Sequence, residues 1–515
     1  MKLRHAYFIV AALLAIAAMR AASNIHELSP TYDETAYLSV GNYYVKTLDF
    51  SKRMDRPPLL AVLGGIASLP TNPDIPEWNV TTTQAESEKK FLYNMGNDLD
   101  SIIFFTRSVS LILYVLLGIV VFLFARDLYG QNAGLFALFL YTLEPNFIGH
   151  GILATSDVPI AFFMTLSIYT FYRFIKDQNI KNLTVTGIVT GLAYLTKFSA
   201  IYVLPIMLVF GVIAIKLDAI KWKKFTTSFI AISTITLLVI NTGYVFQGSF
   251  QPVLEKGKSY QSLESYFKDK SDLYASAIRF TLFDIPMPVP HYYALGLANV
   301  VLHDLSGHSS FLLGEYSRYG WWYYFPVAFL LKAPIPVILL LFATAFLFIK
   351  QGFQNRTRLA EYFLISFSVL YLLVSMQGSI SIGVRHIFPI FPPMIILFGR
   401  LINHVDLENN KSGKINIKLV AIILVSVWYI ITSASIHPHY IAYFNELVGP
   451  DNGHLYLADS NIDWGQDLKN LKLYLESNGI EEVKLKYFGT APPEYYGIKY
   501  ENLTCEPTQG VIAIS

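Results

Sequence analysis

LTVTGIVTGLAYLTKFSAIYVLPIMLVFGVIAIK occupies residues 183–216, and Lys197 is the only charge before the closing Lys216. A membrane-crossing helix needs roughly 20 mostly apolar residues. The stretch therefore predicts two spans, about 183–197 and 199–215, meeting in a tight turn that holds Lys197. Nine further apolar runs extend this pattern along the chain, at about 7–23, 101–125, 133–149, 158–175, 226–246, 322–349, 360–377, 384–402 and 418–436. Eleven spans make an all-α polytopic membrane protein. The first run also resembles a secretory signal, since it follows Lys2 and Arg4 and ends in small residues. Ten spans downstream favour a retained helix.

Composition agrees. Of 515 residues 53% are hydrophobic and 15% charged, where soluble domains carry roughly 25% charged residues. That excludes an ordinary soluble enzyme and a disordered chain. The net charge of +2 provides no basic excess for a nucleic-acid partner. The lone Cys505 excludes an intrachain disulfide and a cysteine-based zinc site. The 34 Tyr and 37 Phe suit helices that end at a membrane interface.

Charge on the connections predicts orientation. With the N-terminus inside, the inner connections hold seventeen Lys and Arg, among them Lys2, Arg126, Arg173, Lys221, Arg356 and Lys411. The short outer connection 150–157 holds none. Three long segments then lie outside the cell membrane, at about 24–100, about 247–321 and 437–515. Residues 1–436 form the predicted transmembrane catalytic domain and 437–515 a small extracytoplasmic α/β domain. Within this tail LYLADSN suggests a strand, residues from about 465 to 478 an amphipathic helix, and VKLKYFG another strand. Leu468, Leu471, Leu473 and Leu475 are its apolar positions. The chain stops in the apolar VIAIS, which suggests a terminal domain that is incomplete.

The outer segments carry the candidate chemistry. SPTYDETAYLSVGNYY places Asp33 and Glu34 about ten residues beyond the first span, with an interfacial helix expected over 34–46. Paired carboxylates at a membrane surface are costly unless solvated, paired or used. One accepts a proton from an acceptor hydroxyl while the other orients a partner, or both serve only a helix N-terminus. In MDRPPLLAVLGG, Pro57-Pro58 turns the chain back, and Arg56 at that turn either faces a phosphate or sits in the water layer. Asp157, before Val158-Pro159, reads as a helix N-cap or as a third carboxylate beside Asp33 and Glu34. Three such carboxylates place a nucleophile or hold a divalent metal ion. His150 is a possible further polar contact, though a lone loop histidine is more often structural. Lys197, Lys332 and Arg385, the last beside His386, stand at or near outer helix ends, where cations suit a lipid phosphate. Lys332 lies about ten residues into a span, so it must snorkel, pair or meet a ligand. No GxxxxGK[ST] loop and no glycine fingerprint supports a nucleotide site.

Several of these motifs, in this order, resemble the GT-C glycosyltransferases that use polyprenyl-phosphate sugars. The nearest likeness is to the dolichyl-phosphate-mannose protein mannosyltransferase and aminoarabinose-transferase branch. The motifs are YDETAYLSVG (32–41), DRPPLL (55–60), HGILATSDVPIAFF (150–163), GLAYLTKFSAIYVLP (191–205), LLKAPIP (330–336), VRHIFPIFPP (384–393) and the tail YFNELVGPDNG…DSNIDWGQDLKNL…YFGTAPPEYYGI (443–498). The resemblance implies an inverting glycosyltransferase facing outward. It would take a polyprenyl-phosphate-linked sugar donor and a hydroxyl acceptor on protein, glycan or lipid. It implies Asp33 as general base, Glu34 assisting, and Asp157 placing the acceptor or a metal. Arg56, Lys197, Lys332 and Arg385 would hold the carrier phosphate. Many relatives carry His where this chain has Arg56. Metal use differs within the superfamily, so a divalent metal stays open. A membrane transporter or flippase of lipid-linked sugars is the alternative, and a non-catalytic surface receptor a further one. Against the transporter, the charges gather at outer ends rather than at the midplane.

Overall fold

The computed structural model describes residues 3–78, 83–251, 286–351, 359–405 and 416–515. Residues 255–272, a charged stretch within the long segment about 247–321, lie outside the described residues. The helices are α1 (Leu3–Ala22), α2 (Glu34–Thr47), α3 (Leu59–Ser68), α4 (Gln84–Lys89), α5 (Leu99–Tyr129), α6 (Gln131–Leu143), α7 (Pro145–His150), α8 (Asp157–Asp177), α9 (Ile180–Tyr194), α10 (Val203–Lys216) and α11 (Trp222–Gly243). They continue as α12 (His291–Ser306), α13 (Tyr324–Lys332), α14 (Ile335–Gln351), α15 (Leu359–Ser375), α16 (Phe391–Phe398), α17 (Ile417–Ser435) and α18 (Leu468–Ser477).

Every predicted span falls on helix. Among the described residues seven helices are long and apolar enough to cross a membrane, or eight counting one bent pair. The remaining predicted spans are shorter helices. The span expected as continuous over 322–349 is instead that bent pair, α13 and α14, at 115° to one another. Pro334 lies in the break and Pro336 in the first turn of α14, and proline prevents the helix from running through. The run from Val384 is wound as 3-10 helix to Ile390 before α16 begins, because Pro389, Pro392 and Pro393 interrupt the hydrogen-bond ladder.

The opening stretch forms α9, a 3-10 turn over Phe198–Tyr202, and α10. Gly187 and Gly191 let α9 lie close against α11: a Cβ on Gly191 would sit 2.5 Å from the Cβ of Val239. Within the first outer segment α2 and α3 cross just as tightly. A Cβ on Gly41 would lie 2.2 Å from the Ala61 carbonyl oxygen, and one on Gly65 2.3 Å from that of Gly41. This crossing brings the start of α2, with Asp33, beside the turn before α3, with Arg56. Pro58 is the N-cap residue of α3, at the place where Pro57-Pro58 is expected to turn the chain back.

The tail packs on the same end of the bundle. Its strands β3 (Val483–Lys486), β4 (Tyr500–Asn502) and β5 (Ile512–Ile514) form a parallel sheet in the order β4-β3-β5. Leu468 and Leu475 of α18 bury against Val483 and Leu485. Leu473 is exposed, because residues 468, 471 and 475 share a helical face that 473 does not. The strand expected in LYLADSN is absent. Pro450–Leu455 is 3-10 helix, and Leu457 makes a single bridge to Leu312 in the hairpin of β1 (Ser310–Leu312) and β2 (Glu315–Ser317).

Candidate active site

Asp33 precedes α2, Asp157 opens α8, Lys197 follows α9, and Arg385 lies at the head of the 3-10 turn before α16. The chain brings these four ends together. Arg385 Nη1 donates to Asp33 Oδ2 at 3.2 Å and to Asp157 Oδ2 at 3.4 Å. Lys197 Nζ donates to Asp157 Oδ1 at 2.6 Å. On the other side of Asp33, Arg56 Nη2 lies 3.5 Å from Oδ1, and Nη1 donates to the Asp33 carbonyl at 3.3 Å. The Arg56 guanidinium also rests over the Tyr37 ring at 4.8 Å. The Leu59 N–H donates to the Leu195 carbonyl, which registers the Arg56 turn against the end of α9.

The two aspartates differ in access. The Asp157 side chain is 1% exposed and fully engaged by Lys197 and Arg385. It makes no capping bond; Ser156 is the N-cap of α8. The N-cap role expected as one reading of Asp157 therefore does not hold. The Asp33 side chain is 24% exposed. It stands at the N-cap of α2 and likewise makes no cap hydrogen bond. Its carboxylate lies between two guanidiniums and stays partly open to solvent.

Glu34 does not join this group. Its side chain is sealed inside the protein against Arg107, whose Nε and Nη2 donate to Oε1 at 2.9 Å and Oε2 at 2.8 Å. Backbone N–H groups of Thr31 and Ala154 donate to the same carboxylate at 2.9 and 2.8 Å. Burial alone would raise the Glu34 carboxyl, but Arg107 and these donors outweigh it and hold it below its ordinary value of 4.5. Arg107 spends its remaining donors on the carbonyls of Ile25, Leu28 and Ser29. The pair therefore binds α5, the end of the first span, α2 and the 151–156 loop into one unit. A carboxylate so enclosed presents no open side, and it stands apart from the group that Asp33 joins.

Lys332 also stands apart from Asp33. The residue is 1% exposed, and its ammonium donates to the carbonyls of Ile441 at 2.9 Å and Asn461 at 2.6 Å, 4.6 Å from the Phe444 ring centroid. It does not snorkel. His150 is buried against Phe388, with centroids 5.0 Å apart.

Three groups at the site were not singled out in the sequence. Ser460 accepts from Arg385 Nε at 2.8 Å, and the Trp464 ring lies 4.0 Å from the same guanidinium. Asp459, whose carboxyl burial pushes upward, feels the charges of both Arg385 and Asp33. All three lie in DSNIDWGQ of the tail, a motif visible as part of the family likeness but without a chemical signature of its own. Arg107 had one available signal, a charge inside an apolar span. Among the described residues no three His, Cys, Asp or Glu side chains gather as a metal-holding group; Asp33 and Asp157 meet on a guanidinium.

Residues 91–244 match the family model described as dolichyl-phosphate-mannose-protein mannosyltransferase. An uncharacterized protein of Aquifex aeolicus is 33% identical over 105 residues, which span 20% of this chain and 21% of that relative. ArnT from Cupriavidus metallidurans, in a crystal structure bound to undecaprenyl phosphate, aligns over 98% of this chain and 87% of its own. Its identity is 13% and its TM-score 0.52. The S. cerevisiae protein O-mannosyltransferase Pmt1-Pmt2 complex, in a structure bound to the sugar donor, aligns over 85% of this chain and 90% of that one. The identity is again 13%, with a TM-score of 0.55. The chain has the GT-C fold, and over residues 91–244 it carries the sequence pattern of the dolichyl-phosphate-mannose-protein mannosyltransferases.

Proposed function

We propose that this protein is a membrane glycosyltransferase that moves a sugar from a polyprenyl-phosphate carrier to a hydroxyl acceptor, with inversion, on the outer face of the cell membrane. The observation that carries the reading is the Asp33 carboxylate: partly open to solvent, free of any capping duty, and flanked by cations at one end of an apolar bundle. Seventeen inner-side cations on the connections support the outward placement. The solved relatives of like fold hold undecaprenyl phosphate in one case and a sugar donor in the other.

The geometry translates into roles. Asp33 takes the proton of the acceptor hydroxyl as its oxygen attacks the anomeric carbon. The bond to the carrier phosphate breaks on the opposite face, and the electron pair leaves with the phosphate. Arg385 and Lys197 sit where they stabilise the charge that develops there, with Arg56 beside them. Asp157 fixes both Arg385 and Lys197, so it is a positioning residue. Glu34 with Arg107 fixes the backbone that carries Asp33.

Incubating the purified protein with polyprenyl-phosphate sugars tests the reading. The expected result is released polyprenyl phosphate that requires a hydroxyl acceptor. Movement of the intact lipid-linked sugar between leaflets, without release, would make it a flippase instead.

A further inference from the structure

We infer that the tail turn Asp459–Gln466 is a positioning element for catalysis, which sets Arg385 against Asp33 and is itself registered by Lys332. This rests on the glycosyltransferase reading and adds to it a part of the chain with no assigned role.

One short segment holds both partners of the central ion pair. On the Arg385 side, Ser460 Oγ accepts from Nε at 2.8 Å and donates to the Ile382 carbonyl at 2.8 Å. The buried Trp464 ring covers the guanidinium face at 4.0 Å. On the Asp33 side, the Trp464 carbonyl accepts from the Tyr32 N–H at 2.8 Å, and the Gln466 carbonyl from the Ser29 N–H at 2.9 Å. Asp33 is the residue that follows Tyr32. The turn is locked from below. Asn461 gives its carbonyl to Lys332 at 2.6 Å and accepts the Val384 N–H on its side-chain oxygen at 3.0 Å. Asp459 enters the turn at φ +58°, a strained conformation for a residue with a Cβ. A guanidinium whose Nε and face are both fixed retains little freedom except along the line towards the aspartates. That gives the buried Lys332 ammonium a role, since it holds the turn by the Asn461 carbonyl.

The test compares Ser460→Ala, Trp464→Leu and Lys332→Met with wild type, and with Ser477→Ala on the exposed side of α18 as a control. A hydrogen bond to a charged group is worth enough for its loss to cost about 10- to 100-fold. Ser460→Ala is expected to lower transfer by that factor through kcat, with KM for the donor and the melting temperature kept. In an Arg385→Lys background, which already lacks Nε, adding Ser460→Ala should change transfer less than about twofold. A purely structural serine would instead add its full loss there, and would overturn the inference. A structure of Ser460→Ala decides the point without any activity. Arg385 displaced from Trp464 and Asp33 supports positioning; Arg385 unmoved overturns it. If wild type itself transfers no sugar, the glycosyltransferase reading fails while that structure still judges the turn.

Discussion

Asp33 and Glu34 are neighbours in sequence and stand in opposite surroundings. Asp33 holds two arginines at 3.2 and 3.5 Å and stays partly open to solvent. Glu34, one residue on, is enclosed with every contact satisfied by Arg107 and two backbone N–H groups. The first turn of a helix separates the two side chains by about 100°, so one faces the bundle interior and the other the two arginines. On the proposed function, adjacent acids therefore do different work: one provides chemistry, the other holds the platform on which that chemistry sits.

The contrast can be broken in several ways. The largest effect on folding is expected from Arg107→Ala. It leaves Glu34 as a buried, unpaired charge, a change that costs about 3–5 kcal/mol. Denaturant unfolding in detergent checks this, and a variant as stable as wild type would contradict it. Next, Arg385→Ala should lower transfer about 10²–10³-fold, the scale for losing one preorganised donor, with a stability loss smaller than that of Arg107→Ala, because Lys197 still pairs the buried Asp157. A smaller, pH-dependent effect belongs to Glu34. Its carboxyl is lowered by folding, so its contribution is fully present above its ordinary value of 4.5 and is lost as pH falls below it. Melting profiles of wild type should fall more steeply below about pH 4.5 than those of Glu34→Gln. The smallest effect is expected at Arg56. Its contact with Asp33 is long and partly exposed, the kind of pair worth about 0.2–1 kcal/mol. Arg56→His should thus cost at most about fivefold in transfer, whereas a loss as large as that of Arg385→Ala would give Arg56 an equal share of the phosphate.

Much of this was legible beforehand, for physical reasons. Apolar runs against sparse charge revealed the helices, since a long apolar run with few charges reads as a membrane helix. The outer-end charges Asp33, Arg56, Asp157, Lys197 and Arg385 were visible because charge near a bilayer needs a partner or a purpose. The division of labour was not. Whether Glu34 points towards Arg385 or into the core depends on where Arg107 arrives, 73 residues later. Lys332 satisfied the same rule as Lys197, yet its partners are backbone carbonyls 109 and 129 residues away. The DSNIDWGQ turn was opaque for the same reason. Its serine and tryptophan carry no charge pattern, and their meaning comes only from the fold that lays them over Arg385.

Asp33→Asn and Glu34→Gln, each measured for transfer from a polyprenyl-phosphate sugar and for unfolding in the same preparation, test the account most directly. Asp33→Asn is expected to lose transfer by about 10²–10⁴-fold with wild-type stability, as removal of a general base does. Glu34→Gln is expected to lose stability first and to retain transfer in the fraction that stays folded. Full transfer by Asp33→Asn, or folded and inactive Glu34→Gln, would contradict it.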